Sequence, residues 1–279
     1  MSTYHWYINW VLDTLEHIIP LSIGGSLLTL TCKDCNSLGG TILDSQLVNR
    51  FRSEDKLAGK DTEPLRGSFA VGSEHITADI YLSDESKPNI RIIGIPELSN
   101  PQKLQRVNEE LDSGAQSFRI SGNLGYRDLP SRISILKTAY LMAFSCFGYG
   151  YIKYSFLDPI RKQIMNSIED TELMKSIVKL DVPPCEKNYV TVLKEPSDLK
   201  CFFVTLDLST KLKRYVGVAL PGFDSTNTQI YSRWANADYT STSMKSVVVK
   251  PIPYNEEFLM NEHYKHYAIE AWKILQNSN

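Results

Sequence analysis

The sequence predicts an α+β protein, with a small strand–turn–strand–helix unit at the N-terminus. A mixed α/β region follows, and its C-terminal part is rich in antiparallel sheet. Three observations carry this. Between about 190 and 251 the pieces YVTVL, CFFVTLDL, YVGVALPG and SVVVKPI alternate or run apolar between turn residues, as antiparallel strands do. Helical patterns are segregated from them, in PQKLQRVNEELDS (101–113) and SRISILKTAYLMAFSCFGYG (131–150). Near the start, residues 14–19 (TLEHII) and 27–31 (LLTLT) read as short strands around a turn made by Pro20 and Gly24-Gly25.

Taken in order, the first helix runs from Asn36 to about Phe51, where Leu43, Leu47 and Phe51 recur at spacings of four. The charged stretch 52–66 reads as a loop or linker. SFAVG, ITADIYL and NIRIIGI follow as strands, and Pro101 opens a helix, since its missing N–H costs nothing in a first turn. A strand-like piece spans 117–120. Ser131 is the expected cap of the long apolar helix, and Gly148 and Gly150 are its expected stop. Ile160, Ile164 and Ile168 mark another helix, and a last one is expected over 256–276 after Asn255. The expected domains are 1–52 and 53–279, with a sub-boundary near 180–188.

The chain has 279 residues, 42% hydrophobic and 22% charged, which is ordinary for a globular protein able to bury a core. The longest apolar stretch, Ala139 to Tyr151, is interrupted by Ser145, Gly148 and Gly150, so no membrane span is expected. No basic region precedes an apolar one at the N-terminus, so no signal peptide is expected either. Five cysteines (32, 35, 146, 185 and 201) are an odd number, which favours a reducing cytoplasm over a disulfide framework. The net charge of −2 argues against a protein that coats DNA, while leaving room for a local basic patch. A homo-oligomer is compatible with this composition.

The chemistry is concentrated between Leu15 and Asp44. Glu16 and His17 stand side by side, and Cys32-Lys-Asp-Cys35 is followed directly by Asn36. Hydrolysis of a phosphodiester bond needs a base for water, and histidine is the side chain best tuned for that near neutral pH. A hard cation that holds the phosphate wants oxygen ligands, such as a Glu carboxylate and an Asn carbonyl. Adjacent strand residues face opposite ways, so the turn at Pro20 would have to bring Glu16 and His17 to one site.

The segment Glu16-His17-Ile18-Ile19-Pro20, Gly24-Gly25 and Cys32-x-x-Cys35-Asn36 resembles the HNH endonuclease family, whose ββα-metal core is two antiparallel strands and a helix. The resemblance implies a DNA endonuclease in which His17 is the general base and Glu16 and Asn36 hold a catalytic Mg²⁺ or Mn²⁺. It also implies that Cys32 and Cys35 form half of a structural Zn²⁺ site. A weaker likeness, over LKTAYLMAFSCFGYGYIKYSFLDPIRKQI, is to the helix pair of larger bacterial HNH proteins. This sequence departs from the pattern at three places: there is no cysteine before Cys32, Leu27 and Leu28 stand where an Asn orients the base, and Gly40 stands where Lys or His is common. An HNH core retained as a non-catalytic nucleic-acid-binding or interaction scaffold is the alternative. A third reading makes Cys32 and Cys35 a redox pair, which needs Cys32 at a helix start.

Other candidates have two readings each. Asp44 is a support for the metal or a solvated helix carboxylate. Arg119, Arg127, Arg132, Lys137, Tyr126 and Tyr140, with Arg161-Lys162, line a DNA groove or form a solvated basic face. His263 and His266, three apart, are metal ligands or a polar helix face, and His75 is isolated. Cys146 is expected to be buried, and neither Cys185 nor Cys201 has ligand spacing.

Overall fold

The structure is a computed structural model that describes residues 13–83, 89–166, 168–184, 186–195, 199–222, 233 and 245–253. The expected helix over 256–276 lies outside these residues, as do Cys185, His263 and His266.

Strands β1 (Asp13–His17) and β2 (Leu28–Cys32) form an antiparallel hairpin. A continuous helical run follows: α1 (Lys33–Leu38), a π-helical turn over Gly39–Asp44, and α2 (Ser45–Leu57). The helix thus starts three residues before Asn36 and runs into the stretch expected as a linker. Next come β3 (Leu65–Val71), β4 (Glu74–Ser83), β5 (Asn89–Gly94), α3 (Pro101–Asp112) and β6 (Phe118–Gly122). Then follow α4 (Asp128–Ile152) and α5 (Asp158–Met165). The last described strands are β7 (Ile177–Leu180), β8 (Tyr189–Glu195), β9 (Cys201–Asp207), β10 (Tyr215–Leu220) and β11 (Lys245–Val249). All strand pairs among the described residues are antiparallel, which makes this a mixed α+β fold.

The chain packs as two compact units. One compact unit takes residues 1–48, 128–209 and 213–279, and the other takes 49–127 and 210–212. The reason is physical: a two-stranded hairpin cannot bury a core of its own. The hairpin therefore shares a unit with α4. The 180–188 stretch joins strands of one sheet and separates nothing.

In the first unit, β11-β8-β9-β10-β7 make a five-stranded sheet whose strand β9 is buried along almost its whole length. Phe147 of α4 stacks on Phe202 of β9 at 4.5 Å between ring centroids, with Tyr151 edge-on at 5.0 Å. Buried on nearly every side, α4 is apolar all round, which explains the Ala139–Tyr151 stretch without a membrane. No described helix is long and apolar enough to cross a membrane. Ser131 lies inside the first turn of α4, where its hydroxyl donates to Asp128 O, so it is not the cap. Gly148 takes φ 60°, ψ −162°, breaking α4 where the sequence placed its stop, and the helix then resumes to Ile152.

In the second unit, α3 covers one face of the sheet β5-β4-β3-β6. Val107 and Leu104 pack there on Phe69, Val71, Ile76 and Ala78. Asp55, almost fully buried, accepts from Thr210 Oγ1 at 2.6 Å and from the N–H groups of Lys211 and Leu212, and so ties 210–212 into this unit.

The β1–β2 connection depends on two glycines. Gly24 takes φ 91°, and a Cβ on Gly25 would stand 1.7 Å from Ile19 O, inside its van der Waals surface. Gly25→Ala is expected to lower stability by about 3 kcal/mol, the upper range for overpacking, read as a lower urea midpoint at unchanged slope.

Candidate active site

Pairing of Glu16 with Thr29 and of His17 with Leu28 keeps β1 regular to its end, and Ile18 N–H continues the ladder to Leu27 O. No twist brings Glu16 and His17 together. Alternation sends Glu16 inward with Thr29 and Thr31, all buried, while His17 is half-buried and Leu15 is 48% exposed. The hairpin therefore turns a polar face to the interior and leaves leucines outside, against the usual pattern.

What draws that polar face inward is Lys137 on α4. Its ammonium, buried with Glu16, pairs with the Glu16 carboxylate and lies 2.7 Å from Asp44 Oδ2. Ser134, one turn before Lys137, donates to Asp44 Oδ1 at 2.6 Å. The π-helical turn places this partner: Ser45 N–H reaches back five residues to Gly40 O, so Gly39 and Asp44 share a side. Gly39 is steric in role, since a Cβ there would lie 2.9 Å from Lys137 Nζ. Asp44 is thus an ion-pair partner of Lys137 and not a freely solvated carboxylate.

One ammonium serves two carboxylates. Burial pushes the Glu16 carboxyl above its usual range, and the Lys137 charge only partly opposes this. Burial also works against the charge on Lys137, but Asp44 and Glu16 outweigh it and hold its pKa above the usual value. A cavity of about 40 Å³ lies beside the pair, lined in part by Cys35, Leu38, Ile42 and Met165. It has room for a few waters and none for a nucleotide.

Asn36 sits on α1 against β1, where its Nδ2 donates to Thr14 Oγ1 at 3.0 Å and to Leu15 O at 3.3 Å. The structure thus ties Asn36 to the strand that carries Glu16, and leaves His17 on the other face. In this arrangement Glu16 Oε1 is already paired with the Lys137 ammonium. Among the described residues no group of three or more His, Cys, Asp or Glu stands where it could hold a metal.

Cys32 is the N-cap of α1, its sulfur accepting from Cys35 N–H, and the two sulfurs are joined as a disulfide. Sulfurs bonded to each other offer no thiolates to zinc, in contrast to the expected half-site. Cys32 does stand at a helix start, as a redox pair requires, but after an antiparallel hairpin rather than in a βαβ unit. Cys146 and Cys201 are buried, and burial pushes the Cys146 thiol up.

The basic groove does not form as expected. Lys137 and Tyr140 point into the protein. Buried Arg161 donates to Ile152 O, Tyr154 O and Tyr140 Oη, and pairs with Asp158. Arg132 pairs with Asp170 at 3.2 Å. A helix packed on all sides buries the charged groups it carries, and here Lys137 and Arg161 find partners within the protein. The residue missed as part of the site is Lys137, and its one signal was a lone charge inside the apolar run ISILKTAYLMAF.

Lys137→Met should cost about 3–5 kcal/mol in urea unfolding, because it strands the buried Glu16 carboxylate and the half-buried Asp44 beside it, and adding Glu16→Gln with Asp44→Asn should recover most of it. The raised Glu16 pKa means that the folded state holds this proton more tightly than the unfolded chain. Its contribution is complete below the ordinary carboxylate range and is lost as pH rises through the folded value. Midpoints followed upward from pH 4.5 should therefore fall more steeply in the wild type than in Glu16→Gln. Alkylation of denatured, unreduced protein should spare Cys32 and Cys35.

Compared with known proteins, the chain matches the family model described as HNH endonuclease over residues 11–52. No curated protein and no solved structure matches it. The matched segment covers the hairpin, α1, the π-helical turn and most of α2. Over residues 11–52 the chain is therefore similar to the HNH endonuclease family.

Proposed function

We propose that the chain hydrolyses phosphodiester bonds in DNA through a ββα-metal core at its N-terminus, with His17 as the general base. The single observation that carries this is the family match over the segment in which His17 ends β1 and Asn36 is tied to that strand from α1. In this reading the imidazole takes a proton from water as the water attacks phosphorus, and the departing oxygen leaves on the far side. His17 is half-buried at a strand end. Asn36 and its hydrogen bonds to Thr14 and Leu15 hold the strand and helix in register around it.

HNH nucleases generally use a divalent metal. Here Lys137 neutralises Glu16, so the proposed chemistry rests on His17 and Asn36. That neutralised carboxylate favours a second reading, an HNH core that binds nucleic acid without cutting it.

Plasmid nicking by the purified protein with Mg²⁺ or Mn²⁺, beside His17→Ala, separates the two. The expected result is nicking that a chelator stops and that His17→Ala lowers by about 10²–10⁴-fold, the usual contribution of a general base. Equal nicking by both proteins would move the base elsewhere. Absence of nicking under every cation, with DNA binding intact, would establish the scaffold reading.

A further inference from the structure

The second unit has a sheet face that nothing described so far uses. Phe69, Val71, Ile76 and Ala78 turn to α3, so strand alternation puts Arg66, Arg91 and Arg119 together on the opposite face. The register confirms this: Arg66 is opposite Asp79, Arg119 is opposite Ala70, and Arg91 is opposite Tyr81. All three arginines are exposed.

We propose that this open face of β5-β4-β3-β6 is a binding surface for duplex DNA, which it holds by the phosphate backbone. Charge is the first argument. Among the described residues of the four strands, three arginines stand on this face against the one carboxylate of Asp79, while the whole chain carries −2. Basic charge is therefore concentrated here against the trend of the molecule, as backbone contacts require.

Position is the second. On ideal strand spacings the arginines form a diagonal from Arg91 on one edge strand, through Arg66, to Arg119 on the other, roughly 25 Å from end to end. Serine and threonine hydroxyls lie along it at Ser68, Thr77 and Ser121, the neutral donors that commonly accompany arginine on phosphates. The Arg66–Asp79 pair at 3.2 Å is no obstacle, since an exposed pair of this kind holds weakly and can yield to a phosphate.

Ring content decides between duplex and single strand. Single-strand surfaces stack bases on aromatic platforms. Here the described strands place only two rings on the face, His75 and Tyr81, and Arg91 lies over the Tyr81 ring at 5.1 Å. A backbone-reading surface fits that better than a base-stacking one.

The proposal rests on the nuclease reading only in choosing DNA as the polyanion. Its test is fluorescence anisotropy of the full chain with a labelled mixed-sequence duplex, in EDTA, so that cutting plays no part. Wild type should show log Kobs falling with log salt at a slope of roughly −2.7, for three phosphate contacts. Arg66→Gln/Arg91→Gln/Arg119→Gln should lose about 10²–10³-fold at about 50 mM salt and most of the slope. The triple lysine variant, which keeps the charge, should restore the slope and show that the glutamine variant's loss is not one of folding. Lys103→Gln/Arg106→Gln, on α3 at the opposite layer, should bind as the wild type does.

Equal binding by the glutamine variant, or an equal loss in the α3 variant, would overturn the proposal. So would a stronger hold on single strands, or polyglutamate displacing the duplex as well as unlabelled DNA does. Duplex RNA binding as tightly as DNA would support backbone recognition and leave the sugar unread. Binding without nicking would sink the nuclease reading and leave this surface standing; nicking that survives in the glutamine variant at unchanged affinity would do the reverse.

Discussion

The N-terminal unit depends on a single buried ammonium. Lys137 reaches from the middle of α4 to Glu16 on β1 and Asp44 on the π-helical turn, so three segments distant in sequence meet at one charge. A buried pair of this kind adds little net stability beside an apolar substitute, but losing one partner is expensive. Its effect is therefore on arrangement. It sets which face of the hairpin turns inward, since Glu16, Thr29 and Thr31 go in while Leu15 stays out. It also accounts for local backbone: Gly39 leaves space for the lysine stem, and the π turn puts Asp44 within reach.

That arrangement bears directly on the chemistry. An HNH segment is expected to use its acidic residue on a cation, and here a cation is already supplied by the chain. The same carboxylate cannot be satisfied by Lys137 and hold a metal through the same oxygen. Neither Asn36 nor His17 is paired with Lys137: one is tied to β1 through its amide, and the other is half-buried at the end of that strand. Cys32 and Cys35 are likewise committed to each other, at the point where β2 passes into α1. The segment thus spends on its own structure several of the groups that the resemblance assigns to metals.

The second unit reverses the arrangement of the first. Its sheet is amphipathic in the ordinary sense, with Phe69, Val71, Ile76 and Ala78 under α3 and charged and hydroxyl side chains on the open face. Inward polarity in one unit and outward polarity in the other have a common cause. A buried carboxylate needs a counter-charge, which Lys137 supplies to Glu16, and where none reaches in, charged residues go to water.

Much of this was legible in the sequence. Alternation placed every described strand of the larger sheets except β7, Pro101 opened α3, and the hairpin and its family likeness could be read from Glu16-His17, Gly24-Gly25 and Cys32-x-x-Cys35-Asn36. Local periodicity and turn chemistry determine such features because they depend on neighbours in the chain. What the tertiary structure alone decided was the use of the polar residues. Strand pattern says that Glu16 and His17 face opposite ways, but not which of them is buried. Helix pattern makes Lys137 a candidate for a DNA groove, whereas 121 residues away from Glu16 in sequence it is that carboxylate's counter-ion. The unit boundaries were hidden for the same reason. An ion pair, or a cap such as Asp55 on 210–212, joins residues across long separations, and no local pattern records it.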